Sequence, residues 1–197
     1  IYLTEFAPMA IRRPVATVIE LLAAIPSVVY GLWGIFVLIP FLTKWVFPWL
    51  EAHLGFLPIF TGPIYGPSVL AASLILTVMI VPFIMSVSRE VLLAVPPAQR
   101  EAALALGATR WEAVSTAIVP YAKSGIIGAV ILGLGRALGE TMAVTFIIGN
   151  AFKIQGSIFA PGTTISAAIA SEFAESSGLH QSGLILLGLL LFVLTFM

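Results

Sequence analysis

From Gly125 to Gly149 the chain is an apolar run long enough to cross a bilayer, since about 20 helical residues at ~1.5 Å each cover ~30 Å of hydrocarbon. Two charges stand in its middle. Arg136 and Glu140 are four positions apart, a spacing that puts them on one face of a continuous helix. An ionised side chain at the bilayer centre costs roughly 2.5 to 3.5 kcal/mol on insertion scales, so a chain that keeps two turns them toward a partner, a ligand or a water-filled path. Gly128, Gly133, Gly135 and Gly139 add small-residue spacing that lets another backbone approach. The expected element is a packed helix whose polar stripe faces a cavity. An internal ion pair that merely holds helices together fits the same residues, and the run by itself leaves both readings open.

Composition extends the membrane reading to the whole chain. At 60% hydrophobic, 9% charged and mean hydropathy +1.12, it is far more apolar and less charged than soluble domains. There is no Cys and no Asp, and His53 and His180 are expected in separate loops, which removes thiol chemistry and most metal-ligand spacings. No catalytic or metal site is expected. The net charge of zero offers no basic surface for nucleic acid. The chain opens on Ile1 and stops at Met197 within an apolar run, so a piece truncated at both ends is expected.

Four spans are expected in order. Arg12 and Arg13 flank the first, which runs from Val15 to Thr43. A straight helix of that length overshoots the hydrocarbon by roughly 13 Å, so Pro26 is expected to kink it, leaving Glu20 near the interface. Residues 44 to 67, with Trp45, Phe47, Trp49, Phe56, Phe60 and Tyr65, read as an aromatic interfacial loop. Residues 68 to 87 form the second span, with Pro82 as a kink. The hydrophilic stretch 88 to 124 follows. Pro96 and Pro97 suit a helix start, Gly107 a helix end, and Thr109 with Glu112 a capping box opening a second short helix that runs to Pro120. Arg12, Arg13, Arg89, Arg100, Arg110 and Lys123 fall on this side against Lys44 and Lys153 opposite, which assigns the loop to the cytoplasm. Residues 125 to 149 are the third span. Beyond it, Thr163 to Ala174 read as a short helix on the outer side, and Leu179 opens a fourth span cut off at Met197.

Within the hydrophilic stretch stand Glu101-Ala102-Ala103, then Gly107, then Ile118 and Val119-Pro120. This resembles the EAA loop of ABC importer permeases, with Ala117 and Val119 where that pattern has Ile and Leu. A short helix of small residues closed by Gly fits a groove on a soluble partner, with Glu101 and Arg100 fixing its orientation at the rim. Gly133 to Asn150, Glu20 to Gly34 and Glu172-Phe173-Ala174-Glu175 are similar to permease subunits of phosphate-specific ABC importers, a likeness that covers nearly the whole chain. The stretch Gly135 to Glu140 is shared with sulfate and molybdate permeases, while Thr141 to Asn150 favours phosphate.

The resemblance implies an all-α, polytopic membrane helix bundle of the type I importer permease fold. Of six spans, this chain would hold the last four, with residues 1–197 as one permease domain and 88–124 as its coupling loop. It implies a multi-pass protein of the cytoplasmic (inner) membrane, surrounded by lipid. The implied partners are a PstA-like permease subunit, a dimer of a PstB-like ATPase and a PstS-like periplasmic phosphate-binding protein, with ATP and Mg held by the ATPase. In keeping with this, the chain has no Gly-x-x-x-x-Gly-Lys-Ser/Thr loop.

The residues then take expected roles. Arg136 faces the path and meets phosphate with its planar fork; Glu140 neutralises it when empty and weakens its hold on the anion. Thr141 and Thr145 add hydroxyl donors. Arg100, Glu101, Ala102, Ala103, Gly107 and Pro120 transmit closure of the ATPase. Rival readings are a permease for another oxyanion and a non-transporting sensory or structural subunit. An intramembrane enzyme would have only Glu140, Glu20 and hydroxyls to work with.

Overall fold

The computed structural model describes residues 1–197, and all of its regular structure is helical. The helices are α1 (Met9–Ala24), α2 (Ser27–Leu54), α3 (Val69–Leu93), α4 (Pro97–Ala105), α5 (Arg110–Leu138), α6 (Met142–Ile147), α7 (Ile165–Glu172) and α8 (Gly178–Phe196). Four of them, α2, α3, α5 and α8, are long and apolar enough to cross a membrane. Their bounds differ from the expected spans in three places. Pro26 separates α1 from α2 and so breaks the chain where a kink was expected. Helix α2 runs on to Leu54, so Lys44, Trp45, Phe47, Trp49 and His53 are helical and not in a loop. The third crossing helix is α5, which ends at Leu138 and not near Gly149. His180 likewise stands in the first turn of α8.

Prolines explain why these helices are longer than their sequences suggest. Widened π-turns span Tyr2–Phe6, Gly34–Leu38, Leu42–Val46 and Val114–Ile118, and Pro8, Pro40, Pro48 and Pro120 follow each in turn. In every case the residue before the proline donates to a carbonyl five residues back: Ala7 to Tyr2, Ile39 to Gly34, Phe47 to Leu42 and Val119 to Val114. Proline has no N–H, and its ring crowds the carbonyl four residues back; widening the turn moves that carbonyl aside. Pro120 therefore does not terminate a short helix, and α5 passes through it.

The chain forms two compact units, residues 1–24 with 80–134 and residues 25–79 with 135–197. The first has a core of Leu92, Val95, Val114, Ile118 and Ala122, packed by Phe6, Val91, Val119 and Ile126. Gly133 brings α5 against Ile80 and Ile84 of α3, and Gly125 meets Val91 in the same way. Gly128 and Gly135 face open space and Gly139 meets only carbonyls of its own helix, so the expected small-residue stripe narrows to Gly133.

In the second unit α6 lies against α2 at two glycines: a Cβ on Gly31 would sit 2.7 Å from the Phe146 ring, and one on Gly34 would collide with Ile147. Phe47 and Phe159 are fully buried, with ring centroids 5.0 Å apart. The start of α3 spends its free amides on neighbouring strands of loop. Ser68 N–H donates to the Ile147 carbonyl, Val69 to Ala160 and Leu70 to Ile158, while Ser68 Oγ accepts from Ala71 N–H.

Candidate functional site

In the second unit the site is built around a break in the helical chain. Gly139 is a poor helix former: its N–H makes the last α-type bond of α5, to the Gly135 carbonyl at 3.1 Å, and the next N–H, that of Glu140, turns to the Ala137 carbonyl three residues back. Arg136 occupies the last turn of α5 and is half-buried, whereas Glu140 lies beyond the helix end and is 8% exposed. The expectation that both share one helical face is therefore corrected. Glu140 Oε1 instead accepts the Ala143 N–H at 3.2 Å, capping the start of α6. A cation at a helix C-terminus and an anion at a helix N-terminus are each favoured by the helix dipole, so each charge is stabilised by the helix end it occupies.

Hydroxyl groups hold the break from the other side. Ser166 Oγ donates to the Glu140 carbonyl at 2.8 Å, and it lies 3.2 Å from Thr164 Oγ1, which in turn accepts Ala167 N–H at the start of α7. Ser166 is 4% exposed. Thr164 is the N-cap of α7, but the reach from Ser166 back to Glu140 is tertiary and has no local signal in the sequence. Thr145 Oγ1 donates to the Thr141 carbonyl at 2.7 Å, so its proton is used inside α6 and it would have to rotate to serve an anion. Asn150 Nδ2 donates to the Thr145 carbonyl at 3.2 Å, ending α6 with Gly149 (φ +90°) and Asn150 (φ 47°) in the left-handed region. Arg136 thus stands on one side of the break, Glu140 and Thr141 at it and Thr145 within α6 on the other side, and a planar guanidinium offers charge-assisted, two-pronged recognition of an oxyanion.

The first unit carries the second candidate region, a corner between α4 and α5. Gly107 turns it with φ +86°, and the expected capping box opens α5. Glu112 Oε2 accepts the Thr109 N–H at 2.7 Å and its hydroxyl at 2.8 Å, while Thr109 Oγ1 accepts the Glu112 N–H at 3.3 Å. The Thr109 backbone bond, followed by its hydroxyl bond, holds the Glu112 carboxyl below its ordinary pKa. No residue of α4 is buried: Glu101 and Ala102 are exposed, Ala103 is half-buried, and Leu106 beside Gly107 is 90% exposed. Arg100 differs from its expected place at the rim. Its Nη2 lies 2.8 Å from Glu5 Oε1 and donates to the Leu92 carbonyl at 3.3 Å, which turns it into the unit. Pro120 lies well along α5, past the capping box, and is exposed.

The sequence from residue 6 to residue 197 matches the family described as "Binding-protein-dependent transport system inner membrane component". It is 51% identical over 199 residues to the "Phosphate transport system permease protein PstC" of Xylella fastidiosa, covering 99% of this chain and 61% of that protein. The Haemophilus influenzae protein of the same name is 52% identical over 201 residues, covering 100% of this chain and 64% of that one. "Phosphate transport system permease protein PstC 2" of Mycobacterium tuberculosis is 45% identical over 203 residues, covering 100% and 62%. The chain thus spans about three fifths of the length of these relatives. With the family match running through both candidate regions and all four crossing helices, the chain belongs to the inner membrane components of binding-protein-dependent transport systems.

Proposed function

We propose that this chain is the membrane-embedded part of a permease subunit that passes inorganic phosphate inward, driven by a separate ATPase. The observation that carries this reading is the half-buried Arg136 at the end of α5, beside a break whose own carboxylate is engaged as a helix cap. A guanidinium there meets a tetrahedral oxyanion through two parallel N–H donors. Binding must be brief for the anion to move on, and the nearby negative charge of Glu140 keeps it brief. Thr141 at the break and Thr145 within α6 supply hydroxyls, Thr145 once it rotates away from the Thr141 carbonyl. The similarity to proteins named for phosphate transport supports phosphate as the anion.

The corner at Gly107 is the contact for a PstB-like ATPase dimer, with Glu101, Ala102, Ala103 and the exposed Leu106 at the surface. A PstA-like subunit completes the permease, and a PstS-like protein delivers phosphate from outside. ATP and Mg belong to the ATPase, and the chemistry of hydrolysis with them. The test uses the full-length subunit assembled with its partners in vesicles. Arg136→Gln is expected to abolish ATP-driven phosphate uptake with assembly intact, and undiminished uptake removes Arg136 from the path. Sulfate or molybdate competing as well as phosphate would reassign the anion.

A further inference from the structure

We infer that Glu5 and Arg100 form a positioning pair that makes the turn ahead of α1 move together with the corner helix α4, an inference that rests on the corner being where the ATPase acts. Glu5 sits in the widened turn Tyr2–Phe6 with its side chain 11% exposed, and Arg100 sits on α4 at 32%. Their charges are 2.8 Å apart, and the same Arg100 nitrogen also holds the Leu92 carbonyl at the end of α3. The next residue of the turn grips the other arm of the corner: the Phe6 ring lies 6.1 Å from that of Trp111 in the first turn of α5. Two consecutive side chains, Glu5 and Phe6, therefore touch both arms of the corner. Both side chains, with Arg100, Leu104 and Arg110, line one cavity of about 130 Å³.

From this turn the chain passes through Pro8 directly into α1, whose far end is tied to α3 by Glu20 and Arg89 at 3.2 Å. A push on α4 thus reaches α1 through a side-chain contact as well as along the backbone. A nearly buried carboxylate needs its cation: removing Arg100 leaves Glu5 Oε1 charged in poor solvent, whereas a pair of matched apolar groups would serve stability as well or better. The retained charge pair gives direction and register to the contact, which is what a transmission link requires.

The test is hydrogen exchange in the full-length complex, with and without a non-hydrolysable ATP analogue. The amides of Thr4, Glu5 and Ala7 are bonded within the turn and report on it directly. In the wild type their exchange is expected to change together with that of α4. In Glu5→Gln, α4 still responds and the turn follows severalfold less; the exchange of charges, Glu5→Arg with Arg100→Glu, restores the joint response. If Glu5→Gln does not assemble, Arg100→Lys against Arg100→Gln decides, the lysine keeping the joint response and the glutamine losing it. A turn that follows α4 as well in Glu5→Gln as in the wild type, or a charge exchange that restores nothing, overturns the pair. A wild-type complex that shows the joint response but no phosphate uptake counts against the proposed function and leaves the pair standing.

Discussion

The hydroxyl of Ser166 reaches a carbonyl 26 residues earlier and closes the break between α5 and α6. Without it the Glu140 carbonyl stays in a buried place short of a donor, at a cost of about 1 to 3 kcal/mol. Ser166→Ala should lower the denaturation midpoint of the purified subunit accordingly, and an unchanged midpoint would show that another group takes over. Glu140 separates into two roles by substitution. Glu140→Gln keeps an oxygen for the Ala143 N–H and is expected to hold stability, whereas Glu140→Ala loses the cap and roughly 0.5 to 2 kcal/mol with it. If the negative charge also hastens release of the anion, Glu140→Gln binds phosphate more tightly and transports it more slowly; equal uptake by Glu140→Gln and wild type would reduce Glu140 to a cap.

Among the elements, the corner was legible in the chain and the break was not, for a physical reason. Caps are local devices: Pro97, Gly107, Thr109 and Glu112 each act within one turn, so their order dictates α4, the corner and the start of α5. The break at residues 139 to 141 sits in apolar sequence whose ends are satisfied by α7, and its one local hint is Gly139. Pro120 misleads in the opposite direction, because a π-turn absorbs the missing donor and a helix stop never forms. Gly107 offers a graded test of the corner. A Cβ there would meet nothing within 4 Å, so the difficulty is the φ of +86° and not space. Gly107→Asn should be tolerated and Gly107→Val should cost about 1 to 2 kcal/mol, with uptake per ATP falling in the same order. Equal behaviour of the two variants would show that the corner does not depend on this conformation. Acid weakens the same element: Glu112 has a lowered pKa, so its contribution is complete above the unfolded value of about 4.3 and fades as pH falls through the folded one.

For the molecule as a whole, each helix able to cross a membrane leaves most of its apolar window uncovered: 6% of that of α8, 22% of those of α2 and α5 and 33% of that of α3 are buried. That surface belongs against acyl chains or other protein segments, because exposed apolar area on this scale is not stable in water. The four tryptophans can tell the lipid-facing part from the rest. Trp33 lies among Val28, Val29, Leu32 and Phe36 in the apolar first half of α2, whereas Trp111 stands between Arg110 and Glu112 at the corner, 65% exposed. In single-tryptophan variants of the full-length subunit in vesicles, brominated acyl chains should quench Trp33 and leave Trp111 bright, while iodide in the buffer should do the reverse. Quenching of Trp111 by the acyl chains would bury the corner in the bilayer. The ATPase contact proposed for α4 would then fail, and so would the placing of the stretch 88–124 outside the bilayer that its arginines and lysines suggest.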